Sequence, residues 1–112
     1  MSVAVREEVD ESGREVWLTA VLRPAGELTG PAADRFVADL LALAARANIV
    51  IVNLVAASVP APDAFAEALR RPGELLSGPD RCLLLVGADE ALLRALRDCG
   101  GEVATLAEAA AA

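Results

Sequence analysis

The stretch IVIVNLVAASVPAPDAF, at residues 49–65, determines how this chain is organised. Residues 49–52 are all β-branched and apolar, which is typical of a strand buried within a sheet. The segment from Asn53 to Phe65 follows this strand and leads into a short amphipathic helix. Because α/β domains usually keep their functional groups where a strand gives way to a helix, this segment is the first candidate site.

The composition of the candidate segment is unusual for a reactive loop. It contains two prolines shortly before the helix, Pro60 and Pro62, and a single acid, Asp63. Its only hydroxyl belongs to Ser58, which lies upstream of the helix. We therefore take the candidate site to comprise Ser58, Pro60, Ala61, Pro62, Asp63 and Ala64.

The residues before this stretch predict a hairpin followed by a helix. Loosely alternating valines from Val3 to Val9 indicate an edge strand, and residues 16–22 indicate a second strand that pairs with it. The even residues of the second strand, from Val16 to Leu22, should share one face. The string Thr29-Gly30-Pro31 predicts a helix start because proline is favoured in the first helical turn, and apolar residues at helical spacing continue to Asn48.

The remaining elements complete an α/β pattern. The apolar run Ile49 to Leu54 lacks alternation, which predicts a central strand covered on both faces. A helix should run from Asp63 to Arg71 and end at Pro72-Gly73. Further strands are predicted at 82–86 and 102–104, with helices at 89–99 and from Leu106. The order β-β-α-β-α-β-α-β-α predicts one domain over residues 1–112, with helices packed against a mixed, mostly parallel sheet.

The composition narrows the range of functions. The chain carries 17 acids against 10 bases, a net charge of −7, which argues against binding to nucleic acid or to anionic membranes. The chain has no histidine and no lysine, which removes histidine catalysis, most zinc sites and Schiff-base chemistry. It also lacks a glycine-rich phosphate-binding loop. We expect a protein that is not an enzyme and needs no cofactor.

Cysteine usage and hydropathy indicate a cytoplasmic protein. Cys82 and Cys99 form no CxxC motif and are interpreted as reduced, largely buried thiols, with a disulfide as the alternative. The first residues show no basic region followed by an apolar run, so we expect no signal peptide, and no apolar run approaches the roughly 20 residues of a membrane span. Direct membrane insertion is therefore not expected.

Acidic residues cluster around the predicted hairpin. They are Glu7, Glu8, Asp10, Glu11 and Glu15. The ordinary interpretation is a solvated face, and the alternative is a docking patch for an arginine-rich partner.

Three strings in order resemble the STAS domain, the fold of bacterial anti-sigma factor antagonists. Gly26-Glu27-Leu28 is similar to that family's G-E-L-D segment, with Thr29 in place of Asp. Val52-Asn53-Leu54 is similar to its strand ending in D-L-S, with Asn53 in place of the Asp and Val55 in place of the Ser. Leu84-Leu85-Val86-Gly87, followed by a leucine-rich helix and two glycines, is similar to its final third. The resemblance covers about the whole chain and implies a STAS-like α/β fold.

The resemblance fails at the family's regulatory loop. That loop reads roughly D-S-S-G-L, and its second serine is phosphorylated in the antagonists. In this sequence Ala61 replaces the Asp, Pro62 the first Ser, Asp63 the phosphorylated Ser and Ala64 the Gly, while Phe65 retains the large apolar character. A serine kinase therefore has no hydroxyl to modify at position 63.

Asp63 has three interpretations at this stage. As a first-turn acid it would stabilise the helix by about 0.3–1 kcal/mol. As a partial phosphoserine mimic it would supply one charge and two oxygens, where a phosphoserine supplies about −1.5 to −2 charges and three acceptor oxygens. The loop could also have acquired another binding role. Ser58 could accept phosphate, but an ordinary hydrogen bond to local backbone is the simpler expectation.

The resemblance implies a regulatory module that binds another protein. The implied partner is an anti-sigma factor that is also a serine kinase, or another STAS-containing protein. Two alternatives remain open: an accessory subunit of a lipid-transport ATPase, and a small-molecule or nucleotide-binding domain.

Overall fold

The computed structural model describes residues 1–99 and the backbone of residues 104–105, and these residues form seven strands and four helices. The elements are β1 (Ser2–Val9), β2 (Glu15–Arg23), β3 (Gly26–Glu27), α1 (Gly30–Ala44), β4 (Ile49–Asn53), β5 (Ala57–Ser58), α2 (Pro62–Ala68), α3 (Arg70–Leu75), β6 (Cys82–Val86), α4 (Glu90–Cys99) and β7 (Ala104–Thr105).

The main sheet has five strands in the order β1-β2-β4-β6-β7. β1 is antiparallel to β2, and every later neighbour pair is parallel. Each crossover moves one strand further in the same direction. Because such crossovers are almost always right-handed, this order places the intervening helices on the same face of the sheet. The predicted mixed, mostly parallel α/β fold is confirmed.

Burial follows this one-sided arrangement. In β4, Val50 and Val52 are fully buried, whereas Ile49, Ile51 and Asn53 are only half-buried. The prediction that this strand is covered on both faces is therefore wrong. An apolar run without alternation looks the same whether one face is covered or two, so the sequence did not distinguish them.

The core lies between the sheet and the helices. Phe36 of α1 and Phe65 of α2 stack with ring centroids 5.9 Å apart, and both are buried. Leu92 and Leu96 of α4 join the same cluster, as the helical spacing predicted. The face of β2 that carries the even-numbered residues is buried, except at Val16, which lies near the hairpin turn and is 53% exposed.

Two predicted helix ends differ from the structure. α1 ends at Ala44 rather than at Asn48, whose side chain instead accepts a hydrogen bond from the Leu18 amide at 2.9 Å. The helix predicted over 63–71 is interrupted at Leu69, before the proline. Pro72 lies in the first turn of α3, where a missing N–H leaves no intrahelical bond unmade.

Some elements were missed or lie outside the described residues. The pairing of β3 with β5 was not predicted, because strands of two residues are too short to show alternation. Ser58 therefore lies in a short strand and not in an irregular loop. Of the strand predicted at 102–104, only Ala104 is described, as part of β7. The helix predicted from Leu106 and the glycine pair at 100–101 lie outside the described residues.

Arg81 connects the start of β6 to the end of α1. Its guanidinium donates to the Ala47 carbonyl at 2.9 and 3.2 Å and also to the Ala44 carbonyl. The last carbonyls of a helix have no intrahelical partner, and a nearby cation also complements the negative end of the helix dipole. Arg81 thus holds the end of α1 beside the entrance to β6.

Replacing Arg81 with alanine should destabilise the fold. The Arg81→Ala variant loses hydrogen bonds from a charged donor to carbonyls that have no helical partner, so the free energy of unfolding should fall by about 1–2 kcal/mol. Urea denaturation followed by circular dichroism measures this change. Arg46→Ala is the matched control, because Arg46 is an exposed arginine in the same α1–β4 connection. Equal stability losses in the two variants would contradict the role of Arg81.

A carboxylate holds the turn of the β1–β2 hairpin. Oδ1 of Asp10 accepts hydrogen bonds from the Ser12 amide at 2.9 Å, the Ser12 hydroxyl at 2.6 Å and the Arg14 amide at 2.9 Å. The Ser12 hydroxyl, followed by the Arg14 amide, lowers the pKa of Asp10 below its ordinary value. The turn therefore depends on an ionised acid.

The contribution of Asp10 should disappear in acid. A lowered folded-state pKa means that this contribution is fully present above the unfolded value of about 3.9 and is lost as the pH falls through the lower folded value. Asp10→Ala should therefore be less stable than the wild type at pH 7, and the difference should shrink below about pH 4. Denaturant titrations across this range measure it, with Glu11→Ala as the control. A difference that stays constant with pH would refute the prediction.

Candidate functional site

The exit from β4 is fixed by short hydrogen bonds. The Asn53 side-chain oxygen accepts the Val55 amide at 3.0 Å, and the Leu54 amide donates to the Val86 carbonyl of β6 at 2.8 Å. The Ala57 amide then donates a hydrogen bond to the Leu54 carbonyl at 3.0 Å. An asparagine oxygen serves this turn as a carboxylate would, so the Asn at this position preserves the local geometry.

The candidate loop is attached to the segment that precedes α1. β3 pairs in parallel with β5, and the flanking amides extend the pairing. Gly26 donates to the Ala56 carbonyl at 3.0 Å, and Leu28 donates to the Ser58 carbonyl at 2.8 Å. The G-E-L string and the loop, about 30 residues apart in sequence, thus form one surface. Sequence reasoning had noted both segments but had not paired them.

The start of α2 is anchored by one apolar side chain. Phe65 is 4% exposed, and its amide donates to the Ala61 carbonyl at 3.0 Å. Pro62 occupies the first turn, where its fixed φ suits the helix. Phe65 therefore fixes the position of the helix, while the residues around it remain accessible.

The predicted site residues lie together on the surface. Ser58, Pro60, Ala61, Asp63 and Ala64 are exposed, and Pro62 is half-buried. We call residues 58–64 the α2 ridge. Ala61 precedes the helix without providing a side-chain cap, and Asp63 lies in the first turn. In the part of the chain that the structure describes, the only ion pair joins Arg70 to Glu67, so the Asp63 carboxylate has no cationic partner there.

A shallow groove of about 270 Å³ lies beside the α2 ridge, between α1 and α2. Ala64, Phe65 and Ala68 form its α2 side, and Ala33 and Val37 lie on its α1 side. Asp34 is its one charged lining residue. Sequence reasoning missed the α1 residues as part of the site. Their spacing of i and i+4, beside the buried stripe of α1, was the available signal.

The ends of β4 and β6 meet closely behind the ridge. Gly87 has φ +79°, and a Cβ placed on it would lie 2.9 Å from Cγ2 of Val55 and 3.0 Å from the Val55 amide nitrogen. Two residues later, the Asp89 side-chain Oδ1 accepts a hydrogen bond from the Leu92 amide at 2.8 Å, and this bond caps α4. Glycine at position 87 therefore lets the candidate loop pack directly on the β6–α4 connection.

The two thiols are not joined in a disulfide. Cys82 begins β6, and Cys99 ends α4 with its Sγ 3.8 Å from Oε2 of Glu67. Desolvation and the adjacent Glu67 carboxylate raise the pKa of the Cys99 thiol. This environment disfavours the reactive thiolate form of Cys99.

The described ranges contain neither a metal-binding cluster nor a membrane-spanning helix. Residues 1–99 and 104–105 contain no group of three or more cysteine and carboxylate side chains arranged to hold a metal ion. Among the helices within these ranges, none is both long and apolar enough to cross a membrane. The described surface does offer an apolar groove, with Asp34 in its lining and Asp63 on the adjoining α2 ridge.

Comparison with solved structures relates the fold to that of a regulatory protein. No protein-family model and no curated protein sequence matches this chain. Among solved structures, the anti-sigma factor antagonist SpoIIAA in its unphosphorylated form is similar, with a TM-score of 0.62. The alignment covers 91% of this chain and 86% of that chain at 14% sequence identity. The chain therefore has a STAS-like fold, as the sequence strings predicted.

Adding a methyl group at position 87 should disturb the candidate loop. Gly87→Ala combines the cost of positive φ, about 1–2 kcal/mol, with a clash against Val55, for a total loss of about 2–4 kcal/mol in the free energy of unfolding. Gly13→Ala is the matched control, because Gly13 has φ +84° but no neighbouring atom within 4 Å of the added Cβ. Thermal and urea denaturation measure both variants. Losses of equal size would contradict the close packing at Gly87.

Proposed function

We propose that this chain is a non-enzymatic regulatory module that binds a protein partner through the α2 ridge and the adjoining groove. The observation that carries the proposal is the accessibility of this surface at the strand-to-helix junction of a STAS-like fold. The ridge offers small apolar side chains and one carboxylate, a composition suited to contact and not to catalysis. The absence of histidine and lysine from the sequence supports the same view.

We infer that the module acts in the cytoplasm on an anti-sigma factor with serine-kinase activity or on another STAS-containing protein. The partner class follows from the resemblance in the sequence strings and from the similarity in fold to an anti-sigma factor antagonist. In the resemblance of the sequence strings, Asp63 corresponds to the family's phosphorylated serine. The usual switch would then be absent, because no phosphate can be added to a serine at this position.

The surroundings of Asp63 favour a role for its carboxylate in contacting the partner. The N-cap residue of α2 is Ala61, which has no polar side chain, and Asp63 is the one acid in the first turn of this helix. The side chain is exposed and its charge is not neutralised by an arginine within the described residues. We propose that Asp63 presents a permanent negative charge where regulated relatives present a charge only after phosphorylation.

The test uses the purified chain and the anti-sigma kinase encoded nearest to its gene. Titration calorimetry should detect binding, and Asp63→Asn should change the dissociation constant by about tenfold, which corresponds to about 1.4 kcal/mol. Glu90→Gln is the matched control, because Glu90 is also an exposed acid in the first turn of a helix. The asparagine variant keeps the shape of the side chain and removes only its charge.

A serine variant separates the two parts of this proposal. Asp63→Ser should become a substrate of the kinase, and its phosphorylated form should regain the affinity of the wild type. If Asp63→Ser binds but is not phosphorylated, the idea of a lost switch fails while the binding function stands. If neither this kinase nor any STAS-containing protein of the same organism binds the wild type, the binding proposal itself fails.

A further inference from the structure

The edge strand β1 exposes apolar side chains on the face that the helices cover elsewhere. Val3 lies opposite Leu22 and Val5 lies opposite Ala20, and directly opposed residues point to the same face of a sheet. Leu22 and Ala20 are fully buried, yet Val3 and Val5 are 48% and 49% exposed. The cover provided by the helices therefore stops at β2, and β1 extends beyond it.

The backbone of β1 is also available for pairing. β1 is the first strand of the five-stranded sheet, so one side of it has no neighbouring strand among the described residues. An exposed edge of this kind readily pairs with another strand unless charge, proline or a bulge prevents it. The pairing with β2 becomes irregular between Glu8 and Val9, which leaves the segment from Ser2 to Glu8 as the regular part.

The order of residues in this regular part is suited to a second copy of itself. A two-fold axis through Ala4 would pair two antiparallel β1 strands over residues 2–6. Val3 would then lie opposite Val5 of the second copy, and Arg6 opposite Ser2 of the second copy. Both acids of the strand, Glu7 and Glu8, would fall beyond the paired segment.

Other symmetric registers are less favourable. An axis through Arg6 would place two guanidinium groups opposite each other, and an axis through Glu7 would do the same with two carboxylates. An axis through Val5 would place Glu7 against Val3 and Glu8 against Ser2, which brings both acids of the strand into the paired segment. Among the symmetric registers that pair at least five residues of β1, the one centred on Ala4 joins the apolar residues and keeps like charges apart.

We propose that this protein forms a weak symmetric dimer through antiparallel pairing of β1 with β1, centred on Ala4. The second copy extends the sheet and brings Val3 and Val5 of the two chains into contact. Each chain carries a net charge of −7, which opposes association and is screened by salt. The dimer is therefore expected to become tighter as ionic strength rises. This proposal does not depend on the proposed function.

The concentration dependence of mass tests the dimer directly. The weight-average mass from sedimentation equilibrium should rise from 11.5 kDa toward twice that value as the concentration rises from about 10 µM to about 1 mM, the range of small interfaces. It should rise further when NaCl is raised from about 0.05 M to about 0.5 M, because the Debye length shortens. A monomer at all these concentrations and at both salt levels would overturn the proposal.

Paired charge variants test the register. Ala4 is exposed and would face its own copy across the two-fold axis, at about 5 Å between Cβ atoms. Ala4→Glu and Ala4→Lys should each remain monomeric when alone. An equimolar mixture of the two should form dimers at least as readily as the wild type. Thermal unfolding of each variant verifies that it is folded.

The control variants are at Val9, on the same strand but outside the paired segment. Val9 is 56% exposed, similar to Val3 and Val5. Val9→Glu and Val9→Lys should dimerise like the wild type. If they behave like the Ala4 variants, or if the Ala4 variants alone still dimerise, the interface lies elsewhere and the proposal is refuted.

Discussion

The burial of one face of the sheet beneath the helices is the constraint on which the rest of the structure depends. Val50 and Val52 of the central strand, together with Leu83 and Leu85 of its neighbour, contribute the strand side of the core. The helices supply the other side through residues such as Phe36 and Phe65. Because all crossovers run in one direction across the sheet, a single apolar layer holds strands and helices together.

This layer also positions the candidate site. Phe65 enters the core beside Phe36, so the start of α2 is fixed although the residues around it are exposed. Asn53 and Gly87 then shape the route from β4 to that point, one by accepting the Val55 amide and the other by leaving room for Val55. The α2 ridge is consequently an exposed surface whose position is fixed by the core, and it carries one carboxylate and one hydroxyl.

The one-sided layer leaves β1 without helical cover. Its valines continue the apolar face of β2, but α1 is placed over the strands nearer the centre. A sheet edge in this state is normally protected by charge or irregularity. Here the irregular pairing and the acids lie toward the turn, so that the N-terminal half of the strand remains open to pairing.

The sequence by itself determined the order of most elements, the apolar anchors of the helices and the presence of Asp63, with no hydroxyl, in the first turn of α2. These features depend on local periodicity and on residue identity, which are read without knowledge of distant contacts. The tertiary structure alone decided that one face of β4 is half-exposed, that β3 pairs with β5, and that Ala33 and Ala64 border the same groove. It also decided that Arg81 reaches Ala44, a residue 37 positions earlier in the chain. Such contacts join residues that are remote in sequence, so they exist only once the crossovers have set the positions of the strands and helices.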